Sequence, residues 1–148
     1  MKKIFVGIIL IITTIIICAC GNKSDAPENV REDIWNHGIQ FALFMKDTIH
    51  DDLDQNDYEK FGSAFNSYYE KFDKDATEEE RKILGNLYAA TLIYDIAKLH
   101  RDTMGNYNYN EEDYNDIFKA LEEVFGASNL KDVNYDKDSM KKILSKYD

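Results

Sequence analysis

After residue 26, apolar residues recur every three or four positions through most of the chain, the spacing that buries one face of an α-helix. No segment shows a sustained alternation of apolar and polar residues bounded by turn residues, so strands are not predicted. We therefore predict an all-α fold, a small bundle of about four main helices plus a short C-terminal helix, in a single domain over 27–148. The predicted helices cover 27–50, 57–72, 78–100, 111–125 and 139–147.

Capping residues support three of the predicted helix starts. Asp25 is predicted to cap the first helix. Asn56 with Glu59 and Thr77 with Glu80 follow the capping-box spacing, in which each residue satisfies a backbone N–H of the other. These residues therefore predict helix starts near 57 and 78.

The third predicted helix differs from the others because residues 87–99 are apolar nearly all round. Thr91, Asp95 and Lys98 form one narrow polar row. A helix that is apolar on most sides is normally buried on most sides. We therefore expect this helix to be the central one, with the polar row marking its line of contact with solvent.

The N-terminus has the pattern of an export signal. Two lysines follow Met1, residues 4–17 are almost entirely apolar, and Ala19 and Cys20 precede a polar stretch. Residues 17–20, Ile-Cys-Ala-Cys, resemble the lipobox of bacterial lipoproteins. This resemblance implies that the thiol of Cys20 receives a diacylglyceryl group and that the chain is cut between Ala19 and Cys20.

This interpretation divides the chain into a signal peptide over 1–19, a short tether over 20–26 and the helical domain. The alternative is an uncleaved membrane anchor formed by residues 4–19. As a helix these residues span about 24 Å of a hydrocarbon core that is ~30 Å thick. Both interpretations predict a location at the cell membrane with the domain on the extracytoplasmic face.

Charge and cysteine content narrow the chemistry of the predicted mature chain. The full chain has a formal charge of −10, and removal of Lys2 and Lys3 with the signal leaves 16 basic and 28 acidic residues, a charge of −12. Such a surface repels nucleic acid. It also does not attract anionic lipid, so the expected membrane contact is the lipid on Cys20. Cys18 and Cys20 are the only cysteines, so no disulfide or thiolate chemistry is predicted after cleavage.

Motifs for catalysis or metal binding are lacking in the sequence. His37, His50 and His100 do not pair at helical spacing, and no Gly-x-Ser-x-Gly motif occurs. Acidic stretches beginning at 52, 73 and 134 lack the glycine and glutamate of a calcium loop. Acidic clusters at 51–57, 78–80 and 111–113 are better explained by the positive ends of helix dipoles. We assign no catalytic residue, metal or cofactor.

Two loop tyrosines, Tyr107 and Tyr109, form a candidate interaction loop, because exposed tyrosine beside asparagine is suited to partner contact. Packing of these rings under their own loop is the alternative. With the predicted anchor, these observations favour a non-enzymatic protein-interaction or accessory module at the cell envelope. A small-ligand or cation-binding lipoprotein is the second hypothesis.

Overall fold

The computed structural model describes residues 25–49, 55–104, 111–131 and 133–148, except for the side chains of 55, 100–104 and 111. These ranges contain helices and no strand, which confirms the predicted all-α bundle. The six helices are α1 (Glu32–Thr48), α2 (Gln55–Asp73), α3 (Glu78–Met104), α4 (Glu111–Phe125), α5 (Ala127–Leu130) and α6 (Lys137–Tyr147).

Helix α1 is the centre of the bundle, and the prediction that residues 78–100 form the central helix is wrong. Every residue from Phe41 to Met45 is buried, so α1 has no solvent-facing side over this stretch. It packs closely against α3, α4, α5 and α6, and it meets α2 through aromatic rings. The buried faces of the surrounding helices therefore converge on α1.

Aromatic side chains fill the space between α1 and α2. The ring of Phe41 lies edge-on to that of Phe65, with centroids 5.4 Å apart, and Phe44 stacks on Phe61 at 4.7 Å. Edge-to-face and offset pairs of this kind add to the gain from burying the rings. The aromatic side chains of α2 thus form the face of this helix that contacts α1.

The first helix begins later than predicted. Residues 27–30 form a turn in which the N–H of Val30 donates to the carbonyl oxygen of Pro27 at 2.9 Å. The N-cap of α1 is Arg31, whose side chain makes no capping hydrogen bond, so the prediction of Asp25 as the cap is wrong. The side chain of Arg31 is instead held by a residue of α3, as described below.

The C-terminal part of the chain returns to α1. The chain turns at Gly126, whose φ of 84° suits a residue without a Cβ atom, and α5 follows. The ammonium of Lys46 donates to the carbonyl oxygens of Leu130 at 2.8 Å and Val133 at 2.5 Å. These bonds fix the connection that leads into α6.

Helix α6 closes the bundle over α2 and the first half of α1. Tyr147 packs edge-on to Tyr68 at 5.5 Å, and its hydroxyl lies 2.8 Å from Nδ1 of His37. The ammonium of Lys146 lies 2.8 Å from Oδ2 of Asp33. The C-terminal end of the chain is therefore held beside the N-terminal half of α1.

Within the described ranges, no helix combines the length and the apolar content needed to cross a membrane.

Candidate interaction surface

One side of α3 exposes large apolar side chains to solvent. Tyr88 is 44% exposed, Leu92 47%, Ile96 51% and Leu99 63%. Spacings of four, four and three residues place them on one face, about one per turn. We call these four residues the apolar stripe.

The buried side of α3 carries two of the polar residues expected at the surface. Thr91 and Lys98 are 7% and 2% exposed, so the prediction that they mark the solvent line is wrong. Only Asp95 lies at the boundary between core and solvent. Because this helix is apolar nearly all round, the hydrophobic pattern does not determine which side faces inward. The polar partners on α1 favour the observed rotation.

Because its side of α3 faces inward, Lys98 reaches the C-terminal end of α1. Its ammonium donates to the carbonyl oxygen of Thr48 at 2.5 Å, at the last residue of α1. Carbonyl groups at the end of a helix lack partners within the helix and carry partial negative charge. The ammonium also lies 5.2 Å from the ring centroid of Tyr94, whose hydroxyl is 2.8 Å from Oγ1 of Thr48. Lys98 thus compensates the C-terminal end of α1 and helps to set the rotation of α3.

Carboxylates and tyrosines lie along the edge of the apolar stripe that faces α2. The hydroxyl of Tyr58 donates to Oδ1 of Asp95 at 2.8 Å. Burial raises the pKa of Asp95, and this hydrogen bond partly offsets the increase. Further along, the ring of Tyr69 lies 5.2 Å from that of Tyr88, and burial together with nearby Asp73 raises the pKa of Tyr69. This edge of the stripe therefore combines aromatic rings with acidic groups.

A second polar cluster joins the start of α1 to the start of α3. Glu80 is 2% exposed, and its carboxylate accepts hydrogen bonds from the backbone N–H and the guanidinium of Arg31, each at 2.9 Å. Burial alone would raise the pKa of Glu80. The hydrogen bonds from Arg31 and from the backbone N–H of Thr77 outweigh burial and hold the pKa at about 2. The predicted Thr77–Glu80 capping box is present, with bonds of 3.0 and 3.2 Å.

A shallow, open depression lies over this cluster, between the turn before α1 and the α2–α3 connection. Its polar groups already bond to one another: the guanidinium of Arg31 contacts Asp75 at 3.0 Å, and the hydroxyl of Thr77 donates to the carbonyl oxygen of Asn29 at 3.3 Å. The arrangement therefore acts as a structural clasp between distant parts of the chain.

The structure describes only some of the residues singled out from the sequence. Cys20, Ala19, Tyr107 and Tyr109 lie outside the described residues, as does His50. The predicted lipid-attachment site, signal cleavage site and interaction loop therefore stay predictions.

Several acidic residues within the described ranges lie in the first turn of a helix, at its N-cap or in an ion pair. Asp136 is the N-cap of α6 and accepts a hydrogen bond from the backbone N–H of Ser139 at 2.6 Å. Hydrogen bonds from the side chain and the backbone N–H of Ser139 lower the pKa of Asp136. Among the described residues, no three histidine, cysteine, aspartate or glutamate side chains come together in a way that could hold a metal ion.

The apolar stripe was not singled out from the sequence. Its signal was present: from Ile83 to Tyr94 the chain has no charged residue, although the protein as a whole is strongly charged. A helix on the outside of a bundle buries one face and normally covers the other with polar groups. An outer helix that is apolar all round therefore exposes apolar surface.

Comparison with protein-family models, with curated proteins and with solved structures found no match.

Proposed function

We propose that this protein is a lipid-anchored lipoprotein at the extracytoplasmic face of a cell membrane, and that its helical domain is a non-enzymatic protein-interaction module. The observation that carries the second part is the apolar stripe on α3. Isolated exposed apolar residues are common, but contiguous apolar patches are characteristic of interaction sites. Here four large apolar side chains share one face of one helix.

The anchor part of the proposal rests on the lipobox-like residues that end at Cys20. A tether over 20–26 reaches at most ~25 Å when extended, so a lipid on Cys20 would keep the domain near the membrane surface. The strongly acidic surface offers little attraction to anionic lipid. Lipid on Cys20 would then be the main attachment to the membrane, and the apolar stripe would be available for protein contact.

The anchor is tested by producing the full chain and the Cys20→Ala variant in bacteria fed with a clickable palmitate analogue. We expect the label and membrane sedimentation for the native chain, and neither the label nor cleavage of the signal for Cys20→Ala. A native chain that carries no label would overturn the anchor.

The interaction function is tested by in-cell photo-crosslinking of the full chain. A benzophenone amino acid is placed at Leu92 in the apolar stripe or, as a matched control, at Ser67, an exposed residue of α2. We expect Leu92 to give a discrete, light-dependent protein adduct in the membrane fraction that is absent with Ser67. Equal adduct patterns at the two positions would contradict the proposal.

A further inference from the structure

We infer that the apolar stripe docks an amphipathic helix of another protein, with lysine or arginine side chains flanking the apolar face of that helix. The inference deepens the interaction function proposed above and rests on it. It is carried by the shape of the stripe and by the charges beside it.

The shape of the stripe fits a helix. Residues 88–99 cover 11 intervals along α3, about 16 Å of straight helix axis. A row of side chains at spacings of three and four forms a ridge that packs into the groove of a second helix. At the start of the row, Gly85 is exposed and a Cβ atom placed on it would meet no atom within 4 Å. A partner helix could therefore approach the backbone closely at this end.

The charges beside the stripe select a basic partner. On the two sides of α3 lie α2, with four acidic and two basic residues, and α4, with six acidic residues and one basic residue. Asp95 accepts a hydrogen bond from Tyr58 of α2 at this edge of the stripe. Asp73 lies beside Tyr69, whose ring contacts that of Tyr88. Complementary charges at the rim of an interface direct association and exclude partners of like charge.

A second copy of the chain fits this surface less well. Added together, the exposed fractions of the four residues equal about two fully exposed side chains. At roughly 200 Å² for each large side chain, the stripe offers about 400 Å² of apolar surface. A stable interface usually buries about 800 Å² on each partner, so the stripe alone falls short. Extending a symmetric contact beyond the stripe would bring acidic α2 and α4 surfaces of both copies together. A basic partner gains from the same surfaces.

The probe is a synthetic 18-residue helical peptide with leucines on one face and lysines on both flanks of that face. Its counterpart has glutamate at every lysine position. Binding of each peptide to the full chain in phosphatidylcholine nanodiscs is measured by fluorescence anisotropy at low and high salt. We expect the lysine peptide to bind at least tenfold more tightly than the glutamate peptide, with an affinity that falls as salt rises.

Two double variants locate the binding site. Leu92→Ser with Ile96→Ser is expected to weaken binding of the lysine peptide at least tenfold, because it shortens the apolar ridge. Asp73→Asn with Asp95→Asn is expected to weaken it at least threefold and to reduce its salt dependence. The charge-matched control, Glu32→Gln with Asp138→Asn, removes two exposed carboxylates elsewhere and should change affinity less than twofold. Circular dichroism checks that each variant is folded.

The inference is overturned if the two peptides bind alike, or if the Asp73 and Asp95 variant behaves as the control does. It is also overturned if sedimentation shows a dimer that Leu92→Ser abolishes, or if the stripe variants reduce binding to anionic vesicles instead of to the peptide. A crosslinked partner at Leu92 without peptide binding would refute only the basic helix. The lack of any such partner in cells would refute the interaction function itself.

Discussion

Glu80 illustrates how one buried charge is accommodated in this fold. Its carboxylate is almost fully removed from water, yet it accepts hydrogen bonds from the Arg31 guanidinium, the Arg31 backbone and the Thr77 backbone. A carboxylate with several charged or backbone donors can stay ionised despite burial. Glu80 therefore stabilises the ends of two helices through its negative charge.

We predict that Glu80→Gln lowers stability and changes its dependence on pH. The pKa of Glu80 falls from 4.5 in the unfolded chain to about 2 in the fold. A lowered pKa gives stability that is complete above the unfolded value and is lost as pH falls through the folded value. The free energy of unfolding of the variant should be about 3 kcal/mol lower than that of the native protein at pH 7. It should also lose the part of the acid dependence between about pH 4.5 and pH 2 that Glu80 supplies.

The measurement is urea unfolding followed by circular dichroism at pH 7, 4.5 and 3. Glu79→Gln removes the same charge from the neighbouring exposed residue and serves as the control. If both variants gave the same pH profile, the special role of Glu80 would be refuted.

For individual residues, the sequence predicted hydrogen-bond partners that are close along the chain and missed those that are distant. The Thr77–Glu80 pair was predictable because its spacing of three residues is a helix-start pattern. The bond from Arg31 to Glu80 joins residues 49 positions apart, and that from Lys98 to Thr48 joins residues 50 apart. Nothing in the local pattern distinguishes these basic residues from those that lie in solvent.

At the scale of helices, α1, α3 and α4 approach closely at Gly38. A Cβ atom placed on Gly38 would lie 2.8 Å from Cζ of Phe125 and 3.1 Å from Cδ1 of Leu87. Phe125 is itself confined, because its ring packs 5.1 Å from the ring of Trp35. Glycine thus allows a contact between helices that even alanine would disturb.

We predict that Gly38→Ala destabilises the protein by about 1–2 kcal/mol through overpacking, in spite of the higher helix propensity of alanine. Gly85→Ala is the matched control, because Gly85 also lies inside a helix but has open space around it. It should stabilise the protein by about 0.5–1 kcal/mol. Thermal unfolding of the two variants should show shifts of opposite sign, and a stabilised Gly38→Ala variant would contradict the packing argument.

The number of main helices and several of their ends followed from the pattern of the sequence. The range 111–125 was predicted at both ends, and the start at Glu78 was predicted from its capping box. The rotation of α3 about its own axis was not predicted, because its apolar residues leave several faces equally suited to burial. Its exposed and buried sides depend on partners from α1 that only the folded chain brings near.

At the scale of the whole molecule, the last helix completes the core. Met140, Ile143 and Tyr147 of α6 are at most 5% exposed, and Tyr147 covers the ring of Tyr68. The ion pair between Lys146 and Asp33, which are 113 residues apart, lies at the same contact and lowers the pKa of Asp33. The sequence predicted this helix but not its place, because its partners come from the opposite end of the domain.

We predict that ending the chain after Asp136 prevents stable folding. The change removes three buried side chains, each worth about 2 kcal/mol, from a fold whose total stability is of the order of 5–15 kcal/mol. Loss of protease resistance and of a cooperative thermal transition would be the readouts. Removal of exposed Asp148 alone should change stability by less than about 0.5 kcal/mol, and a folded chain ending at Asp136 would refute the prediction.

The clasp between Arg31 and Glu80 also has a mechanical consequence. Chain entering the domain from residue 25 reaches α1 through Arg31, whose side chain is bonded to α3 and to the α2–α3 connection. Tension applied upstream, for example through the proposed membrane tether, would therefore act on the beginning of α1 and the beginning of α3 together. Peeling α1 away by its first turn would require breaking the Arg31–Glu80 bonds first.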